Sequence, residues 1–120
     1  MPTVDIKDVL QKHAAWLANE AGGKRANLSG ADLSRMNLHG ANLGGGNLHG
    51  ANLLKADLSK ANLSGADLGL ADLRGANLNK ADLRLADLRG ADMRGANVSL
   101  ANFLRADMRA ATLPDGSIHK

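Results

Sequence analysis

The chain has 120 residues, enough for one domain, and no cysteine, so it holds neither a disulfide nor a thiolate metal site. It is 44% apolar yet has one Phe, one Trp and no Tyr, which leaves leucine and alanine to fill the interior and suits a narrow solenoid better than a globular core. The formal net charge of +3 is mild. No apolar run is long enough to span a membrane or to form a signal-peptide core, so a cytoplasmic location is the default expectation.

Residues 3–21 carry a helical pattern. Ile6, Val9, Leu10, His13, Trp16 and Leu17 fall on one side, with Lys7, Asp8, Gln11, Lys12 and Asn19 on the other. Thr3 or Asp5 serves as the N-cap, and Gly22-Gly23 as the stop. The expected task of this helix is to cover the open end of the region that begins at Ala26, with Trp16 as a packing residue. The alternative is a helix that binds a partner or a membrane surface. Residues 1–25 thus form a cap and junction, and Lys24-Arg25 reads as solvated surface.

From Ala26 the chain runs in fives, Ala-Asn/Asp-Leu and two freer residues, for 17 consecutive units to Ala110. An 18th, Ala111-Thr112-Leu113-Pro114-Asp115, breaks at proline. A period of five makes no helical stripe, because leucines five apart scatter around the cylinder. The first three residues of a unit alternate like a strand, so Ala and Leu face one way and the Asn or Asp between them the other. Gly fills the fifth place in 8 of the 17 units, which marks a recurrent turn. A chain that turns alike every five residues winds into a parallel solenoid with its apolar residues inside.

This motif, in register over about three quarters of the chain, resembles that of the pentapeptide repeat family. The resemblance implies a right-handed quadrilateral parallel β-helix, an all-β solenoid with four units per coil and about four and a half coils over residues 26–115. The inner columns are then Leu28 to Leu88 in steps of five, followed by Met93, Val98, Phe103, Met108 and Leu113, beside the alanines from Ala26 to Ala111. Met36 and Gly46 depart from alanine, and Met36 is a candidate to fill the space beside Gly46.

With 20 residues per coil, face one carries Asn27, Asn47, Asp67, Asp87 and Asp107, and face two Asp32, Asn52, Asp72 and Asp92. Face three carries Asn37, Asp57, Asn77 and Asn97, and face four Asn42, Asn62, Asp82 and Asn102. Stacked aspartates repel. Arg74, Arg84, Arg89, Arg94 and Arg109 each lie two residues after an aspartate, namely Asp72, Asp82, Asp87, Asp92 and Asp107. Local charge compensation is the simplest reading; binding of nucleic acid or an acidic partner is the functional one, disfavoured because no aromatic is interleaved for base stacking.

Some members of this family resemble duplex DNA in size and negative charge and bind DNA gyrase, which gives quinolone resistance. The repeat block here has 10 Lys and Arg against 9 Asp and Glu and no inserted loop, so DNA mimicry stands as the alternative reading. The leading one is a non-enzymatic scaffold for an unidentified protein partner, with no cofactor. Leu54, Leu70, Leu85, Leu100 and Leu104 occupy outward places and are candidates for the contact surface, Leu85 and Leu104 on one face with Leu100 near the same corner. Scattered exposed leucine is the bland alternative.

His39 and His49 are ten apart and so fall on opposite faces, unable to share a metal ion. No Ser-His-acid set and no phosphate loop fits the period, since Gly44-Gly45-Gly46 lacks the required following residues. Residues 116–120 form a short tail after Pro114. Either Ile118 folds back as a minimal lid, or two molecules stack end to end through Phe103, Met108, Leu113 and Ile118 as a homodimer.

Overall fold

A computed structural model describes residues 4–120; Thr3, one of the two expected N-caps, lies outside them. Helix α1 spans Ile6–Leu17 and is capped by Asp5, whose carboxylate accepts from the Asp8 N–H at 3.1 Å. Its stop is earlier than the glycine pair. Asn19, at φ 60°, takes the left-handed turn after the C-cap Ala18, and the N–H of Asn19 donates to the Trp16 carbonyl. Gly22 and Gly23 do something else. Gly22 turns the chain at φ 79°, and Gly23 lets it cross α1 so closely that a Cβ there would lie 2.5 Å from the Trp16 nitrogen.

The repeats wind as a right-handed quadrilateral β-helix. Each second-position residue bridges in parallel to the residue 20 later, from Asn27–Asn47 on face one to Asp92–Thr112 on face two. Third- and fifth-position N–H groups donate to the next coil, as Leu28 does to the Asn47 carbonyl at 2.7 Å and Gly30 to that of His49 at 2.9 Å. Second-position N–H groups donate back, as Asn47 does to the Ala26 carbonyl at 2.9 Å.

The core is the alanine and leucine columns. The leucines from Leu28 to Leu88 and Met93 are buried, and the alanines from Ala51 to Ala96 with them. Both ends are less dry. At the first coil Ala26 is covered but Ala31, Met36 and Ala41 are half-buried, because the 12-residue α1 packs Ile6, Val9, Leu10 and His13 over only part of the opening. Trp16 and Leu17, both expected on the packing side, are 39% and 44% exposed, so the packing expected of Trp16 is only partial. The atoms nearest the space beside Gly46 belong to the Leu43 carbonyl, Leu48 and Ala26; Met36 is not among the nearest three.

The last coil extends through Pro114, whose carbonyl accepts from the Gly95 N–H at 3.0 Å. The tail then reverses at Gly116, φ 88°, and pairs antiparallel at Thr112–Ile118. The molecule measures 43 × 31 × 21 Å along its principal axes, and among its described residues no helix is long and apolar enough to cross a membrane.

Candidate functional site

The outer surface is built from the second residue of each unit. In all 17 units its Oδ1 accepts from the N–H of the fourth residue, at 3.2 Å from Ser29 to Asn27 and 3.0 Å from Asn79 to Asn77. This is an Asx turn, and it explains why only Asn or Asp occupies the place: both carry an acceptor at the length that closes the corner. The invariance of Asn or Asp against free choice of Leu, Ser or Arg two residues later carries that signal in the sequence. The 18th unit has Thr112 and Pro114 at these places, and the turn is absent.

Where the fourth residue is arginine, it folds back on its own aspartate. Arg74 Nε donates to Asp72 Oδ1 at 2.9 Å and Nη2 to Oδ2 at 2.7 Å. Arg84 on Asp82, Arg89 on Asp87, Arg94 on Asp92 and Arg109 on Asp107 repeat the two-pronged contact. Arg89 also reaches toward Asp107 of the next coil at 3.8 Å. The guanidinium hydrogen bonds hold the Asp72, Asp82, Asp87 and Asp92 carboxyls below the usual range, and Asp107 down to about 2, against an opposing push from burial. At Asp32 and Asp57 the hydroxyls of Ser34 and Ser59 lower the carboxyl instead.

The fifth residue makes the corner, and in all 17 units its φ is positive, between 56° and 71°. Eight are glycine; the other nine are Lys, Arg, Leu or Ala held in the left-handed region. Leu70, Leu85 and Leu100 sit there, 65%, 65% and 77% exposed. A leucine at such a corner is unfavourable twice, in backbone conformation and in wetted apolar surface.

The five outer leucines divide. Leu54 is half-buried on face two. Leu70 leans over Gly90 of the next coil, 2.7 Å from where a Cβ would stand, at the corner between faces one and two. Leu85 and Leu104 meet across adjacent coils, the Leu85 N–H donating to the Leu104 carbonyl at 3.0 Å. Leu100 is not at their corner. Twenty-residue stacking puts it above Lys80, at the other end of face four. The exposed leucines of the last coils, Leu85, Leu100 and Leu104, therefore form an interrupted strip on face four, which they share with the Arg84–Asp82 pair.

That strip adjoins the open C-terminal end. Met93, Val98, Phe103, Met108 and Leu113 line a cavity of about 310 Å³ with Pro114 and Asp115 at its edge. The Val98, Leu100, Phe103, Arg105 and Met108 N–H groups find no backbone acceptor, and the Ala96, Ala101 and Ala106 carbonyls no backbone donor. The tail occupies the edge elsewhere, through Leu113 N–H to Ser117 O at 2.7 Å and His119 N–H to Ala111 O at 2.8 Å. Ile118 does fold back, but its side chain is 56% exposed and leaves the cavity uncovered. An unpaired strand edge beside an apolar mouth is a surface suited to association.

A second hollow, about 440 Å³, lies on face one between His49 and Arg89–Arg109, over Gly69 and Gly90. Its arginines are engaged by Asp87 and Asp107, and His49 Nδ1 lies 3.3 Å from Asp67 Oδ1. His39 contacts Ser59 on face three. Among the described residues no three His, Cys, Asp or Glu side chains gather to hold a metal.

The sequence pattern of pentapeptide repeats matches this chain in 8 copies, over residues 24–53, 51–90, 66–103 and 86–115. The crystal structure of alr5209, a pentapeptide repeat protein from Nostoc Pcc 7120, is similar at TM-score 0.73 and 34% identity, covering 86% of this chain and 78% of that one. Rfr23, a pentapeptide repeat protein from the cyanobacterium Cyanothece 51142, is similar at TM-score 0.61 and 34% identity, covering 71% of this chain and 61% of that one. No curated protein matches the chain.

Proposed function

This chain belongs to the pentapeptide repeat family, and from that premise we propose that it is a rigid non-enzymatic scaffold in the cytoplasm, binding a protein partner through face four of its last coils. The observation that carries the reading is the placement of Leu85 and Leu100 at left-handed, exposed corners beside Leu104. Other units place Gly at the same corner, so stability alone does not call for leucine there. Leu85→Asn and Leu100→Asn should keep the fold and raise the melting temperature slightly, because Asn tolerates that conformation better. The same pair should lose the partner that the unaltered protein captures. Capture that survives both changes would overturn the reading.

A homodimer through the open end is the companion proposal. Phe103, Met108 and Leu113 are half-buried in one molecule, and a two-fold related copy would cover them and the unpaired edge together. Sedimentation should show dimer at high concentration and monomer after Phe103→Glu. Monomer throughout for the unaltered protein would remove it.

DNA mimicry directed at gyrase remains the runner-up. It needs one contiguous negative face, whereas each of the carboxylates Asp72, Asp82, Asp87, Asp92 and Asp107 carries its own guanidinium. Inhibition of gyrase supercoiling by the purified protein would reverse this order.

A further inference from the structure

We propose that His13 is a pH-sensitive latch that holds α1 on the first coil only as the neutral imidazole, so that mild acid releases the helix. His13 is fully buried and is the one polar or charged side chain so buried among the described residues. It touches two backbone groups of the solenoid, 13 and 31 residues away in sequence. The Ala26 N–H donates to Nδ1 at 2.9 Å, and Nε2 lies 2.7 Å from the Gly44 carbonyl oxygen. An amide N–H only donates and a carbonyl only accepts. The ring is therefore neutral, with its proton on Nε2.

Both groups are orphans of the coil that is missing below. Elsewhere the first residue of a unit donates to the carbonyl three residues back, as Ala31 does to Leu28 at 3.0 Å. Elsewhere too the fourth-position carbonyl accepts from a corner N–H beneath it, as His49 does from Gly30. At Ala26 and Gly44 the imidazole supplies both functions. Arg25 Nε also reaches the first coil, donating to the Gly45 carbonyl at 2.6 Å.

A second proton on the ring would point at the Ala26 N–H, donor against donor, and would place a charge in a dry site. Of the ionisable groups around the Ala26 junction, α1 supplies Asp8 and Lys12, paired with each other at 3.1 Å. The junction brings Lys24 and Arg25, both cationic. On the coil side Ala26, Gly44 and Gly45 have no ionisable side chain, and Trp16 stacks at 5.2 Å, tilted by 32°. Release would uncover the lower strand edge at Ala26 and Gly44 and wet the first-coil leucines.

The chain carries its own reporter, since its single Trp is Trp16, packed over Gly45 and against His13. Between about pH 7.5 and pH 5 the Trp16 emission should shift to the red, and its quenching by acrylamide should rise from the level its 39% exposure already allows. The Ala26 amide, corrected for intrinsic pH dependence, should exchange at least about tenfold faster, while the circular dichroism of the coils holds. His13→Gln presents an acceptor and a donor without titrating and should abolish the acid response. Should that variant be undocked already at neutral pH, the unaltered protein decides by ring nitrogen resonances, with an Nε2–H tautomer at neutral pH and Ala26 exchange rising in step with ring protonation. Ala26 protection that persists through that protonation, or an unchanged acid response in a docked His13→Gln, overturns the proposal.

Discussion

Asn77 shows what a single residue does in this fold. Its Oδ1 receives the Asn79 N–H at 3.0 Å while its backbone bridges to Asp57 and Asn97. Asn77→Ala removes the acceptor and should cost about 1 kcal/mol in denaturant unfolding. Asn77→Asp keeps the acceptor and should be close to neutral. The carboxyls that arginine and serine hold low give a signed pH effect. Their charged form is the one the fold favours, so their contribution is complete above the ordinary value of 3.8 and is lost as pH falls, through about 2 at Asp107. A series of urea midpoints should therefore fall between about pH 4 and pH 2. The pairs are exposed, so salt at neutral pH should move the midpoint little.

Helix α1 is held at two points, the His13 ring and the crossing at Gly23. No backbone adjustment of one strand alone admits a Cβ at Gly23, because its neighbours at 2.5 to 2.7 Å are main-chain atoms of Ala15 and Trp16. Gly23→Ala should displace the helix and increase the quenching of Trp16 at neutral pH, with the coils intact. Gly22→Ala meets no atom within 4 Å and bears only the strain of φ 79°, so its effect should be the smaller of the two. The same logic ranks the corners. The Lys55 side chain lies against Gly75 and that of Leu70 against Gly90, so these two corner side chains use the space a glycine leaves in the next coil, whereas Lys80 is followed by Leu100 and Leu85 by Arg105.

The whole molecule is a one-dimensional stack whose middle is dry and whose ends are not. Leu63, with covered coils on both sides and no exposure, should lose about 2–5 kcal/mol as Leu63→Ala. Leu113, half-buried at the open mouth, should lose less as Leu113→Ala, since part of its surface is already wet. The difference in unfolding free energy between the two variants measures how far the C-terminal end is solvated in solution. It should shrink at concentrations where the proposed dimer forms.

Much of this is legible in the order of residues. The five-residue period, the inward Ala and Leu columns and the Asp-Arg pairs come from spacing alone, because a strand alternates and a fixed corner repeats, whereas the stacking of faces every 20 residues follows from the four-unit coil that the family resemblance implies. Contacts that join distant parts of the chain do not. His13 reads as one more residue on an amphipathic face, since nothing near it in sequence shows the Gly44 carbonyl. The crossing at Gly23, the separation of Leu100 from Leu85 and the shallow seat of Ile118 likewise depend on where the ends of the stack come to rest. A repeat encodes its own winding locally; what covers its ends is decided only when non-repeating segments meet it in three dimensions.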